Sequence, residues 1–533
     1  MRYLKYLVIP FLAISLSLQV FAQSYSEQLH KFGRVLTLVN SLYVDTVNQE
    51  SIVEEAIVAM LQELDPHSIY ISKDEVKRMN EPLNGAFEGI GIQFNILDDT
   101  LMVVATISTG PSEKLGIMAG DRILTVDGEN VAGVGLENSD VLKLLRGEKG
   151  SIVEVEILRR GENELLDFSI ERDKIPIFSV NSGYIIDDEI GYVKLNRFAK
   201  TTDDELEEVF AEFELNNIEK IILDLSSNGG GYMDKAIWLA DQFLTESEMI
   251  VYTEGVNNPK REYRASSKGH FEDAKVVVLV DESSASASEI VSGAIQDWDR
   301  GVIVGRRTFG KGLVQRPFPL PDESMIRLTV ARYYTPSGRC IQKSYEDGVE
   351  DYATELLDRY EHGEFTNRDS IQFADSLMYI TLRNERKVFG GGGIMPDVFI
   401  PFDTLAISDF HSKLMRKRLI FNFAIKYIDE NRDELAEKYP DFNRFNKNFE
   451  VTDALLTKLE EMAIEEEIEI SEEAPTDYQV RRLKIHLKSL IASDLWETNE
   501  FYQVNNAMNE SVQKAIEILK NDAEYQRLLK KTE

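Results

Sequence analysis

The spacing of apolar positions divides the chain into stretches of different texture. Between Tyr25 and about Asn80, Leu29, Phe32, Leu36 and Val39 recur at helical spacing, as do Ile52, Ala56, Ala59 and Met60; Leu64-Asp-Pro-His-Ser68 breaks the second run. This predicts a small helical region suited to capping or dimerisation. From about Asn84 to Arg172 the period shortens to that of strands. Gly89-Ile-Gly-Ile92, Leu101-Met-Val-Val104 and Ile152 to Ile157 are strand-like, turns fall at Asp127-Gly128 and Arg160-Gly161, and a helix is predicted from Asn138 to Leu145.

From Ile175 to about Pro401 strands and helices alternate. The predicted order is strand Ile190–Leu195, helix Glu205–Phe213, strand Ile221–Leu225, helix Asp234–Phe243, strand Val276–Val280, helix Glu289–Asp297 and strand Val302–Gly305. Alternation of this kind is the signature of α/β architecture. The segment Ser344–Lys387 reads as a charged helical insertion before Gly390-Gly-Gly-Gly393. Beyond Thr404 the chain is rich in Glu, Lys and Leu and poor in glycine, with helices expected around Leu414–Tyr427, Asp453–Met462, Tyr478–Ala492 and Glu510–Leu529. No chemistry is visible there. The pattern supports a solvated helical extension, or a surface for assembly or a partner.

The first residues depart from this folding pattern. Arg2 and Lys5 precede an apolar run from Tyr6 to about Leu18, and Val20-Phe-Ala22 places small residues for cleavage, so a secretory leader ending before Gln23 is expected. An uncleaved anchor is the alternative. That predicts an exported protein of the periplasm or cell envelope, attached to a membrane only through that segment, if at all. At 533 residues the chain exceeds one core, and several domains are expected. A formal charge of −34, from 59 basic and 93 acidic residues, argues against nucleic acid and anionic membrane as partners. Cys340 is the only cysteine, so no intrachain disulfide forms; a packed or idle thiol is the expectation. The six histidines are scattered without metal-ligand spacing, and no metal or organic cofactor is expected.

Candidate chemistry concentrates in two places. Asp281-Glu-Ser-Ser-Ala-Ser-Ala-Ser-Glu289 sits where an apolar strand gives way to a helix, so a hydroxyl there would meet free helix N–H groups. Physics alone does not choose among Ser283, Ser284, Ser286 and Ser288. The spacing Ser286-Ala-Ser-Glu289 is also that of a capping box, its commoner meaning. Lys311 follows between Gly310 and Gly312, and a strand from Gly312 to Phe318, stopped by Arg316-Pro317, would put Lys311 and Gln315 on one face. A buried lysine loses its charge readily and can then act as the base that a serine requires. Asn228-Gly-Gly-Gly231, after a buried strand, is a place for backbone N–H groups to form an anion pocket. His67 reads as a structural turn residue.

Taken together, Ser284-Ala-Ser-Ala-Ser-Glu-Ile290, Thr308-Phe-Gly-Lys-Gly312 with Gln315 and Tyr334-Thr-Pro-Ser-Gly338 resemble, in the same order, the motifs of the carboxyl-terminal processing peptidases, and the helical segment with Leu64-Asp-Pro-His-Ser68 resembles their N-terminal region. The likeness covers about residues 25 to 402. It implies a serine endopeptidase with a ClpP/crotonase-like α/β core, an inserted PDZ domain and helical N- and C-terminal regions. The expected division is 1–22 leader, 23–83 helical region, 84–172 PDZ domain, 173–402 peptidase core with 344–387 inserted, and 403–533 extension. The resemblance implies Ser286 as nucleophile, Lys311 as general base and Gln315 as its positioner. It implies an oxyanion hole from the N–H groups of Ala287 and a glycine of Asn228-Gly-Gly-Gly231, with Gly230 expected and Gly231 the alternative, because Gly229 stands where the family often has proline. Gly89, Ile90, Gly91 and Ile92 match the PDZ loop that takes a peptide's carboxyl end. Expected partners are proteins or peptides with a free C-terminus, and further copies of the chain joined through the helical ends. A non-catalytic peptide-binding scaffold, or an esterase or thioesterase on the same core, are the alternative readings.

Overall fold

The computed structural model describes residues 26–469 and 474–531; the leader expected at 1–22 lies outside the described residues. A helix over 26–42 and a second over Gln49–Gln62 open the chain. The first leaves Leu29, Phe32, Val35 and Leu42 exposed. The turn Leu64–Ser68 leads into a short strand, β1 (Ile69–Ile71).

The PDZ module follows. Its antiparallel sheet begins with β2 (Ile92–Leu97) and β3 (Thr100–Thr106), and β2 lies at the sheet's edge, paired only with β3. Helix α1 (Asn138–Leu145) closes one side, with Val141 and Leu145 buried against Ile90 and Ile92.

The α/β region is built on a six-stranded sheet: β4 (Val180–Ile186), β5 (Ile190–Leu195), β6 (Lys220–Asp224), β8 (Lys275–Val280), β9 (Gly301–Gly305) and β12 (Val398–Phe399), in that spatial order. Only β4 runs antiparallel to its neighbour; the rest are parallel. Helices α2 (Met233–Asp241) and α3 (Ala287–Asp297) pack on one face, where Phe210, Phe243, Val278 and Ile295 are fully buried. A second sheet carries β7 (Met249–Gly255), β10 (Leu313–Pro319) and β11 (Met325–Tyr334); β11 pairs antiparallel with β1, β7 and β10.

Two expectations are corrected, and the strand expected at Gly312–Phe318 is found at Leu313–Pro319. Parallel sheets bury both faces, and the cover of the second face is the end of the chain. Val512, Ala515, Ile518, Leu519 and Tyr525 pack on Ile190, Tyr192, Ile222, Val277 and Val302. Residues 510–529 thus belong to the peptidase core and are not a solvated extension; each fully buried Val, Ile or Leu there contributes about 1.5–3 kcal/mol. Residues 410–497 do form a separate helical module around Leu414, Phe423, Phe445, Leu459 and Leu487, with its longest helix at α4 (Leu419–Lys438). The 344–387 insertion is α-helical only over Val349–Glu361, because Gly363 and Asn367 make turns and the remainder runs through 3-10 turns into a hairpin. Finally, β10 continues through Pro317, which an edge strand tolerates because its missing N–H faces away from the ladder.

Candidate active site

Adjacent parallel strands end side by side, so the loops leaving β6 and β8 meet at the carboxyl edge of the sheet, where α/β folds place ligands. Asp281 ties them together: its carboxylate accepts from Ser227 N (2.8 Å), Ser227 Oγ (3.0 Å) and Ser283 N (3.0 Å). Two serines of the cluster act as struts. Ser284 Oγ donates to Leu225 O and Ser288 Oγ to Asn228 O, each at 2.8 Å, and both residues are fully buried.

Ser286 differs from them. It stands at the head of α3 with φ 55° and ψ −110°, a conformation that costs a non-glycine residue about 1–3 kcal/mol. It has the capping-box arrangement with Glu289, whose N–H donates to the Ser286 carbonyl at 2.9 Å and whose carboxylate accepts from Ser286 N, and it lines a cleft of about 520 Å³. Geometry thereby separates the four serines that sequence left equivalent. Lys311, Gln315, Gly230 and Arg327 line the same cleft. Lys311 Nζ donates to Gln315 Oε1 at 3.0 Å. Among the described residues no hydrogen bond joins it to Ser286 Oγ; such contacts commonly tighten only when substrate binds.

Two buried side chains hold the Ser286 and Lys311 loops together. Glu289 accepts from Ser286 N (2.8 Å), Lys311 N (2.9 Å), Gly310 N (2.8 Å) and Thr308 Oγ1 (2.5 Å). Burial pushes its carboxyl up to about 7, opposed by those hydrogen bonds. On the other side the Tyr333 hydroxyl lies 2.5 Å from Lys311 O and 3.0 Å from Ser286 O. The S-x-x-E spacing marked Glu289 as a cap. It does bond the Ser286 amide, and the same carboxylate also fixes the lysine loop, which spacing could not reveal.

Burial is the main force lowering the Lys311 ammonium from its ordinary value. The Arg327 charge adds to it, while Glu289 and Asp65 oppose. The lysine is thus biased toward the neutral amine that can take a proton. Gln315 is oriented from an unexpected direction: its Nε2 donates to the backbone carbonyl of His67. That turn is locked to β11 by Asp65, whose Oδ1 accepts from His67 N (2.8 Å), Ser68 N (2.9 Å) and Thr329 Oγ1 (3.1 Å). The His67 ring, lowered to about 4 by burial and then by the Lys311 charge, is neutral and sits 2.7 Å from Tyr352 Oη. Tyr352 belongs to the inserted helix. Arg359 of that helix donates to the carbonyls of Arg307 and Thr308, buttressing the lysine loop.

The glycine loop bears on the choice between Gly230 and Gly231. Gly230 N–H donates to Asn228 Oδ1 at 2.9 Å, so that amide is committed in this structure. The N–H groups of Gly231 and Ala287 have no acceptor among the described residues. Gly230 matters instead for what it lacks. With φ +98°, a Cβ there would lie 2.8 Å from Ser286 Cβ and 3.0 Å from Ala287 N, filling the space before the amide at the head of α3.

In the PDZ module, Ile90 and Gly91 fall between strands, and their N–H groups have no acceptor among the described residues. Gly91, at φ +78°, turns the loop into β2. Cys340 is half-buried, and burial pushes its thiol up.

Comparison with known proteins agrees with this division. Residues 189–352 match Peptidase family S41, 89–170 a PDZ domain, and 15–75 the activating protease CtpB N-terminal domain. Residues 410–497 match a family of unknown function. The carboxy-terminal-processing protease of Bartonella bacilliformis is 35% identical over 341 residues, covering 62% of this chain and 78% of that one. This chain belongs to the carboxy-terminal processing proteases of family S41. It is therefore a serine-type peptidase with an inserted PDZ domain. The carboxy-terminal processing protease CtpB of Bacillus subtilis is 34% identical over 328 residues, covering 60% of this chain and 68% of its own. No helix among the described residues is long and apolar enough to cross a membrane.

Proposed function

We propose that the protein is an exported endopeptidase that holds the carboxyl end of a protein substrate in its PDZ domain and cleaves upstream of it through an acyl-enzyme on Ser286. Neutral Lys311 takes the Ser286 Oγ proton as the oxygen attacks the scissile carbonyl. The oxyanion develops before the free amide of Ala287 at the positive end of α3, with the Gly231 amide as second donor. The lysine ammonium returns its proton to the leaving amine, then deprotonates a water that releases the acyl group. Gln315 keeps the amine aimed into the cleft, and the tail lies along the free edge of β2 with its carboxylate at Gly89–Ile92. The exposed apolar face of helix 26–42 supports association of copies.

The observation that carries this reading is the bracketing of Ser286 and Lys311 by Glu289 and Tyr333 at the mouth of one cleft. Its test compares wild type with Ser286→Ala and Lys311→Ala on an unfolded protein carrying an apolar carboxyl end. Both variants are expected to lose cleavage by about 10³-fold or more while still binding the tail. Full activity in either variant would remove the role given to that residue.

A further inference from the structure

The helical module at 410–497 lies against the PDZ domain. Phe421 and Ile425 of α4 pack on Leu97, Met102 and Val104. Asn95 Nδ2 donates to Asn422 Oδ1 at 3.0 Å, Asp429 pairs with Arg122 at 2.7 Å, and the Asp429 carbonyl accepts from Arg160. These contacts bring the corner that starts α4 beside the peptide-binding edge. Lys417, Arg418 and Asn422 form one wall of a groove of about 490 Å³; Asn95 and Ile96 of β2 and Leu136–Ser139 at the head of α1 form the others.

The groove continues the path of a bound tail. β2 has an unpaired edge. A peptide whose carboxylate sits at Gly89–Ile92 must run back along that edge, antiparallel to β2. Asn95 and Ile96 lie past Ile92 by about 10–13 Å at an extended rise. The last four or so residues of the tail would cover that span, and those before them would enter the groove beside α4.

The charge there runs against the rest of the molecule. The chain carries −34 overall, yet this wall presents two adjacent cations. Lys417 Nζ donates to a backbone carbonyl, that of Glu466, and so keeps its charge uncompensated at that contact. Arg418, held at φ 57°, makes no ion pair among the described residues. Glu137, at the cap of α1, is the carboxylate facing the groove, and it leaves a net positive charge.

We infer that the C-terminal helical module extends the PDZ groove with a basic subsite, Lys417 and Arg418, that receives acidic side chains about five or more residues upstream of a substrate's carboxyl end. The inference rests on tail capture by the PDZ domain. It gives the module a role in substrate choice: tails with Asp or Glu before an apolar end are selected over neutral ones.

The test uses the full chain with Ser286→Ala, so that bound peptide survives, and reads fluorescence anisotropy of labelled peptides. All share one apolar carboxyl end and carry either Asp/Glu or Ser/Asn at the fifth to seventh positions from it. The acidic peptide should bind about fivefold more tightly at low salt, and the gap should shrink as salt is raised. It should close when Lys417→Ala and Arg418→Ala are added, with the neutral peptide unaffected. Equal binding of acidic and neutral peptides by the chain with Lys417 and Arg418 intact overturns the inference without reliance on the double variant. So does a gap that persists in the double variant. An amidated carboxyl end provides the separate control. If amide and free acid bind alike, tail capture itself fails, whatever the upstream residues do.

Discussion

Ser286 and Lys311 give their amides to Glu289 and their carbonyls to Tyr333, whereas Ile90 and Gly91 donate to nothing among the described residues. The Ser286 and Lys311 backbone and the PDZ loop thus treat their amides in opposite ways, and within the cleft only the Gly231 and Ala287 amides resemble those of the loop. Proton transfer needs atoms held within a few tenths of an ångström, so the cleft spends buried polar side chains on fixing its own backbone. The proposed peptide capture needs unsatisfied donors and an open strand edge, and the PDZ loop has both among the described residues. In the cleft a single atom should matter greatly. In the groove the contributions should be small and additive.

The sharpest way to break this contrast is at Gly230. Gly230→Ala places a methyl group against Ser286 Cβ and the Ala287 amide at a strained φ. It should lower kcat by about 10²–10³-fold, the scale of a lost oxyanion donor, with tail binding unchanged by anisotropy. Wild-type kcat in this variant would mean that the loop has room the structure does not show.

Next comes Glu289→Gln. Either carboxylate oxygen, once replaced by NH2, faces two donors: Ser286 N and Lys311 N, or Thr308 Oγ1 and Gly310 N. One or two donors left unpaired, depending on the amide's orientation since the Thr308 hydroxyl can turn and accept, at about 1–3 kcal/mol each should lower Tm by several degrees in a thermal scan. Activity should fall mainly in kcat, because the substrate's own contacts remain. A drop confined to KM would contradict the bracketing role.

Asp65→Asn should act more mildly. It weakens the turn that presents the His67 carbonyl to Gln315, and roughly tenfold in kcat is expected from a displacement passed through one intermediate residue. Gln315→Glu in the same background should not restore the rate, since a carboxylate cannot donate to that carbonyl.

The smallest effect concerns Arg327. Its charge lowers the pKa of Lys311, so Arg327→Met should raise it, and the rising limb of kcat/KM should move to higher pH. Glu289 and Asp65, which favour the ammonium, remain in place in this variant, so burial alone then holds the limb below that of a free lysine. The pH profile reports the shift, and an unmoved limb would show that Arg327 is too well solvated to matter.

Much of this was legible in the sequence, for identifiable reasons. The alternation of strands and helices follows from hydrophobic period, and the strand at Ile190–Leu195 falls where the pattern placed it. The motifs around Ser286 and Lys311 are local and dense. What stayed hidden depends on surfaces and on backbone acceptors. The amphipathic end of the chain announced helices, but not that they cover the main sheet. The shared face of Lys311 and Gln315 was argued from strand parity. Lys311 in fact precedes β10, and a register shift falls between Val314 and Gln315, yet the amine and the amide still meet. The His67 carbonyl could not be foreseen, because a backbone oxygen carries no residue signature. Nor could the double duty of Glu289, whose spacing already had an ordinary explanation.

The account depends on a lysine that is uncharged when it is needed. Its most direct test is the pH dependence of Ser286 acylation, read as the single-turnover burst from an activated peptide ester, in wild type and Lys311→Ala. The account predicts a rising limb well below the ordinary lysine value in wild type and none in the variant. A wild-type limb near 10.5, or the same limb in both proteins, would contradict it.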